Sequence, residues 1–122
     1  MIKHDLKRPR ATKFKSKKTN VDGLKFDSKK EALRYKTLRD MQEYGIISEL
    51  ECQVPFVLAE GVKFQCEARK KPALRYVSDF TYKHDGKLVV EDVKSSHTRS
   101  LPAYRIKKHL MMTVHGIEIN EI

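Results

Sequence analysis

Apolar and polar residues alternate along two neighbouring stretches in the second half of the chain. Residues 76–82 (YVSDFTY) and 88–93 (LVVEDV) are rich in the β-branched and aromatic side chains that favour strands. Between them, Asp85 and Gly86 supply the positive φ angles that a two-residue type I′ turn requires. The pattern therefore predicts a β-hairpin.

Counting outwards from that turn predicts which residues face each other. Phe80 is expected opposite Glu91, and Asp79 opposite Asp92. Two carboxylates about 4 Å apart repel each other by roughly 4 kcal/mol at an effective dielectric constant near 20, and a bound divalent cation turns that repulsion into coordination. Lys94 shares a face with Asp92 because strand side chains alternate with period two. Asp79, Asp92 and Lys94 are therefore predicted to converge.

Helical and extended patterns alternate in the rest of the chain. In order, they predict a helix over 26–45, strands over 46–58 and 61–67, the hairpin, a helix over 103–114 and a strand over 117–122. Ile106, Leu110 and Val114 form the apolar stripe expected to face the core. The final strand–helix–strand order predicts a parallel crossover. The predicted fold class is α/β, a mixed central sheet flanked by helices in the order αβββαβ.

Charge divides the chain into a basic arm, residues 1–24, and one domain, residues 25–122. The first 20 residues contain eight Lys and Arg against one Asp, and the whole chain of 122 residues has a net charge of +10. The arm is expected to be flexible and to bind a polyanion, with nucleic acid as the best candidate. A solubilising tail is the alternative interpretation.

Location and several reaction classes can also be argued from the sequence. No apolar run is long enough to span a membrane, and the two cysteines form no ligand cluster, so a cytoplasmic protein with reduced thiols is expected. The chain has no phosphate-binding glycine loop, no GxSxG and no HExxH, which argues against nucleotide-driven, serine-hydrolase and histidine-metal chemistry.

Asp79 followed by Asp92-Val93-Lys94 resembles the D…(D/E)-X-K signature of the PD-(D/E)XK nuclease superfamily, although Ser78 stands where the signature has proline. The superfamily includes restriction enzymes and Holliday-junction resolvases. The run 79–95 is similar to small phage-encoded nuclease-like proteins, and the predicted αβββαβ order matches the restriction-endonuclease-like core. The resemblance implies a metal-dependent endonuclease acting on duplex or branched DNA in the host cytoplasm. It also implies Mg²⁺, with Mn²⁺ as a substitute, and a homodimer by analogy.

The resemblance also implies roles for individual residues. It gives catalytic roles to Asp79, Asp92, Lys94 and Glu31, with metal ligation by Asp79, Asp92, Glu31 and the carbonyl of Val93. Two of these have simpler interpretations. Glu31 follows Ser28 by three residues and fits a capping box at the start of the first helix. Lys94 alternatively forms a surface salt bridge with Asp92.

Basic residues in four places are candidates for phosphate contact: Lys13, Lys15, Lys17 and Lys18 in the arm, Arg69, Lys70 and Lys71 in a loop, Arg99 after the hairpin, and Lys108 on the second helix. A solvated surface is the alternative for the loop. Two functions compete with the nuclease, namely a non-catalytic nucleic-acid-binding protein and a small RNA-binding protein of ribosomal type.

Overall fold

The computed structural model describes residues 18–122, and the chain divides into two compact units, Met1–Lys36 and Thr37–Ile122. In the first unit, strands β1 (Thr19–Val21) and β2 (Leu24–Phe26) pair in antiparallel fashion around Asp22-Gly23. Both turn residues have positive φ, 52° and 77°, as a type I′ turn requires. This hairpin overlaps the end of the predicted arm, while residues 1–17 of that arm lie outside the described residues.

Helix α1 (Lys29–Glu43) begins in the first unit with the predicted capping box. The Glu31 N–H donates to Ser28 Oγ at 3.1 Å, and Glu31 Oε2 accepts the Asp27 N–H at 3.1 Å. These bonds satisfy backbone N–H groups that have no partner within the first helical turn. The helix is shorter than the predicted 26–45 at both ends.

The second unit contains a mixed four-stranded sheet, which confirms the predicted α/β class. Its strands are β3 (Ser48–Ala59), β4 (Leu74–His84), β5 (Lys87–Asp92) and β6 (Asn120–Glu121), in the spatial order β3-β4-β5-β6. The first three pair antiparallel, and β5 and β6 pair parallel. Helices α2 (Ser96–Ser100) and α3 (Pro102–His115) form the crossover, and α3 contacts β3 and β4.

The β4–β5 hairpin has the predicted register. Asp85 and Gly86 form its turn with φ angles of 51° and 77°. The ladder runs from His84 opposite Lys87 to Phe80 opposite Glu91. Because the register follows from the turn chemistry alone, the positions of the residues beyond Phe80 were predictable from the sequence.

Two predicted strands were wrong in extent. Residues 61–67 form no strand, and one antiparallel bridge between Val62 and Lys71 replaces it. The last strand was predicted over 117–122 and contains only Asn120 and Glu121. Beyond Glu121, the backbone bonds of Ile122 to Asp92 and Lys94 continue the pairing, although the strand itself ends.

The core face of α3 also differs from the prediction. Tyr104 and Met111 are buried, at 6% and 0% exposure, in a cluster with Leu58, Tyr76, Val90 and Ile119. Ile106 and Val114, predicted to face the core, are 59% and 51% exposed, and Leu110 is partly buried. Tyr104 buries a large ring, and its hydroxyl donates to the carboxylate of Glu121 at 2.6 Å. The ring of Tyr104, whose hydroxyl has a hydrogen-bond partner, therefore occupies the core in place of the predicted aliphatic stripe.

Candidate functional site

The two aspartates lie where the β4–β5 ladder ends. The next pair beyond Phe80 and Glu91 would be Asp79 and Asp92. At that position a hydrogen bond to the Asp79 side chain replaces the backbone–backbone bonds of the ladder. Asp79 Oδ2 accepts the Val93 N–H at 2.8 Å, so β5 is not extended past Asp92. The Asp79 carboxyl is close enough to the Asp92 carboxyl to raise its pKa. The structure thus brings the two predicted carboxylates together on one face.

Asp92 is almost entirely buried, at 1% exposure. Its Oδ2 accepts a hydrogen bond from the Tyr76 hydroxyl at 2.7 Å and lies 3.3 Å from Lys94 Nζ. Burial and the neighbouring Asp79 carboxyl raise the pKa of Asp92 to about 7, against the lowering effects of Tyr76 and Lys94. Among residues 18–122, Asp92 Oδ1 is the buried side-chain oxygen that has no hydrogen-bond partner.

Lys94 reaches the site from the residue after Val93, as the alternation predicts. Its side chain is 23% exposed, so the ammonium group contacts Asp92 and still reaches solvent. The Lys94 Nζ also lies 5.0 Å from the centre of the Tyr104 ring, within the range of a cation–π interaction. The ion pair with Asp92 that the simpler interpretation predicts is therefore present, in a largely buried setting.

Behind Lys94 lies a second charged group on α3 and β6. The Tyr104 hydroxyl donates to Glu121, and Lys108 Nζ lies 3.1 Å from the other Glu121 oxygen. Burial tends to raise the pKa of Glu121, but the hydrogen bonds from Tyr104 and Lys108 outweigh it and lower that pKa. Burial and the adjacent carboxylates raise the pKa of both Tyr76 and Tyr104, so both hydroxyls stay protonated donors.

Backbone bonds to the end of β6 fix the strand on which the site lies. The Ile122 N–H donates to the Asp92 carbonyl at 3.0 Å, and the Lys94 N–H donates to the Ile122 carbonyl at 3.3 Å. Asp92 and Lys94 are thus held on one side by β4 and on the other by the chain that follows α3. Their spacing is set by backbone pairing, which positions side chains more precisely than a loop does.

Two predicted metal ligands have other contacts in the structure. The Val93 N–H is engaged by Asp79, and ligation by the Val93 carbonyl stays a prediction. Glu31 belongs to the first unit, where it completes the helix cap. The capping role is therefore confirmed, and metal ligation by Glu31 stays a prediction.

Some of the predicted phosphate-contacting residues are exposed, and others form ion pairs within the protein. Lys13, Lys15 and Lys17 lie outside the described residues, and Lys18, Arg69, Lys70 and Arg99 are exposed. Lys71 forms an ion pair with Glu67 at 2.8 Å, and Lys108 forms one with Glu121. The loop residues and Arg99 thus present charge to solvent on the described surface.

Three members of the site were not predicted from the sequence, namely Tyr76, Tyr104 and Glu121. Strict alternation along β4 puts Tyr76 on the face of Phe80, away from Asp92. However, β4 pairs with β5 only from Phe80 onwards, so at Tyr76 it extends past the end of its neighbour. The tyrosine hydroxyl reaches Asp92 across that end. The missed signal was the early end of β5, which the charged run 91–94 indicates.

The geometry defines a carboxylate pair with one lysine at the end of a mixed sheet. Within the described residues, no group of three or more His, Cys, Asp or Glu is arranged to hold a metal ion, and no helix is long and apolar enough to cross a membrane. The model of the family described as "Protein of unknown function (DUF1064)" matches residues 11–119, and the chain belongs to that family. No curated protein and no solved structure matches it significantly.

Proposed function

We propose that the protein is a metal-dependent endonuclease that hydrolyses phosphodiester bonds in DNA. The observation that supports this most strongly is the meeting of Asp79, Asp92 and Lys94, with a buried oxygen of Asp92 left without a partner. Leaving a buried acceptor without a partner is unfavourable, and a bound ion that completes its contacts is one explanation for such a group.

The two carboxylates fit a magnesium ion. Mg²⁺ is usually held by one or two carboxylates, with water and substrate phosphate oxygens completing its shell, so a third carboxylate is not required. Asp92 Oδ1 and the Asp79 carboxylate are the atoms that would hold it. When bound, the cation polarises the scissile phosphate and makes a bound water more acidic.

Lys94 is suited to the proton and charge transfers of the reaction. Its ammonium group lies beside Asp92 at 3.3 Å and retains access to solvent, where the attacking water and the phosphate arrive. There it would orient the water and stabilise the negative charge that builds on the phosphoryl oxygens. The Tyr104 ring limits where the flexible lysine side chain can lie, which reduces the entropy lost when it binds phosphate.

Non-catalytic nucleic-acid binding is the second candidate. It is favoured by the fact that Asp92 Oδ2 is already engaged by Tyr76 and Lys94 within the protein, as in a structural polar cluster. In that case the basic surface would carry the function.

A plasmid-nicking assay separates the two candidates. Supercoiled plasmid, single-stranded, flap and four-way DNA are incubated with the full chain and Mg²⁺ or Mn²⁺. The nuclease proposal expects cleavage that EDTA stops, that Asp79→Asn and Lys94→Ala abolish, and that Asp85→Asn leaves unchanged. Asp85 lies in the turn of the same hairpin and serves as the matched control. Binding to these substrates without any cleavage would instead establish the non-catalytic candidate.

A further inference from the structure

The connection between β3 and β4, residues 60–73, is held in shape by its own contacts, and we call it the β3–β4 loop. Val62 and Lys71 form a two-way bridge, with N–H···O distances of 3.1 and 2.6 Å. Glu67 is held twice, by its ion pair with Lys71 and by the Lys63 ammonium, which donates to the Glu67 carbonyl at 2.8 Å. The loop therefore presents a defined surface.

An aromatic side chain projects from this surface. Phe64 is 51% exposed, and its carbonyl accepts the Glu67 N–H at 3.1 Å in the turn of the loop. Exposing a large ring to water forgoes the hydrophobic free energy that its burial would supply. A ring held outwards on a braced loop is instead suited to stack against a flat partner.

The β3–β4 loop also presents positive charge. Arg69 and Lys70 are exposed, and neither takes part in an ion pair with another of residues 18–122. At the base of the loop lies a recess of about 400 Å³, whose lining includes Lys70, Lys71 and Arg75. This volume is in the range of ligand-binding clefts. Glu60 also lines the recess, but the three cationic side chains outnumber its carboxylate, so the recess suits a phosphate group.

The β3–β4 loop is joined directly to the strand that carries Asp79. The loop leads into β4 at Leu74, and Asp79 is five residues further along the strand. At about 3.4 Å per residue, Leu74 and Asp79 are roughly 17 Å apart, which is half the length of one turn of duplex DNA. A nucleic acid with one phosphate at Asp79 therefore has neighbouring nucleotides within reach of the loop.

We propose that the β3–β4 loop binds unpaired nucleotides, with Phe64 stacked on a base and Arg69, Lys70 and Arg75 holding the adjacent phosphates. The inference rests on the proposed function in one respect, that nucleic acid is the substrate. An unpaired base exposes its flat face to an aromatic ring, whereas a base within a duplex is already stacked on both sides. The loop would thus direct the carboxylate site towards single-stranded or branched DNA.

Metal-free binding measurements test the stacking contact. Fluorescence anisotropy is recorded in EDTA with a thymidine homo-oligonucleotide and with a mixed-sequence duplex. Phe64→Ala and Phe64→Leu are expected to weaken binding to the single strand by about 5- to 100-fold, the range found when a base–aromatic stack is removed. Phe64→Tyr should retain binding, and duplex affinity should stay unchanged. Tyr44→Leu is the matched control, because Tyr44 is an aromatic residue outside the loop that is 83% exposed.

A second variant reports the contact directly. The chain contains no tryptophan, so Phe64→Trp introduces a single indole, whose emission can be excited separately from that of the five tyrosines. Its emission should be quenched by the single strand and not by the duplex, while that of Tyr44→Trp should respond to neither. Equal quenching by both forms of DNA, or wild-type affinity in Phe64→Leu, would overturn the inference. Because no step needs cleavage, an inactive protein that passes these tests would refute the nuclease proposal alone.

Discussion

Two consecutive residues of β5 place carboxylates in the interior, on opposite faces of the sheet. Glu91 is 0% exposed and Asp92 is 1% exposed. Each accepts a hydrogen bond from a tyrosine of β4, Glu91 from Tyr82 and Asp92 from Tyr76. The two carboxylates are therefore alike in their burial and in the type of residue that donates to them.

Their remaining surroundings differ. Among the described residues, no buried oxygen of Glu91 lacks a partner, whereas Asp92 Oδ1 does. Asp92 also has a second carboxyl group, that of Asp79, and an ammonium group, that of Lys94, beside it. Burial of a carboxylate beside a tyrosine donor is thus not by itself a sign of a metal site. The spare oxygen and the second carboxylate are what suggest a site for a cation.

The largest expected difference between Asp92 and Glu91 is in DNA cleavage. Asp92→Asn is expected to reduce the rate of plasmid nicking by at least about a hundredfold, because it removes charge that stabilises the transition state. Glu91→Gln should retain most of the wild-type rate in folded protein. Equal loss in both variants, at equal folded fractions by circular dichroism, would show that Asp92 acts only structurally.

The stability of the metal-free protein should depend on pH through Asp92. Its pKa rises from 3.8 to about 7 on folding, mainly through burial and then through Asp79, so between these values the unfolded chain loses a proton that the folded chain keeps. The free energy of unfolding should therefore fall as pH rises from 4 to 7, by up to about 4 kcal/mol, and level off above. Urea unfolding in EDTA measures this. Asp92→Asn should remove the fall, and a slope unchanged in that variant would assign it to another group.

Magnesium should stabilise the wild-type protein through the same residue. At a concentration one hundred times the dissociation constant, a ligand specific for the folded state adds about 2.7 kcal/mol to the free energy of unfolding. Thermal unfolding with and without Mg²⁺ at pH 8 tests this, since Asp92 is ionised there. The Glu91→Gln variant should keep the increase, while Asp79→Asn and Asp92→Asn should lose most of it. An equal shift in all four proteins would indicate nonspecific binding.

The smallest expected effect is the loss of stability when Glu91 loses its tyrosine donor. Tyr82→Phe leaves the buried Glu91 carboxylate short of one donor, which should lower the free energy of unfolding by about 1–3 kcal/mol. DNA cleavage by the folded variant should be unchanged. Chemical denaturation gives the first value and the nicking assay the second. A loss of activity larger than the loss of folded protein would mean that the two faces of the sheet are coupled.

Local chemistry explains how much of the fold and site could be predicted. Asp85-Gly86 permits a turn that most residue pairs cannot adopt, so it determines the hairpin register and brings Asp79 and Asp92 together. Similarly, Ser28 and Glu31 identify the start of α1 because the capping bonds span only three residues.

Features that depend on distant partners were not predictable in this way. Periodicity identifies α3 as a helix, but the core face was settled by Glu121, which provides an acceptor for Tyr104. Ile106 and Val114 are as apolar as the prediction required, and nothing local distinguishes the two faces. Tyr76 was missed for a related reason, since its contact with Asp92 depends on where the neighbouring strand ends.

The backbone bonds of Ile122 have a practical consequence for handling the protein. Ile122 donates to the Asp92 carbonyl and accepts from the Lys94 N–H, so two backbone hydrogen bonds of this one residue hold both ends of the tripeptide 92–94. Shortening the chain before Asn120 would release this tripeptide while leaving every catalytic candidate in place.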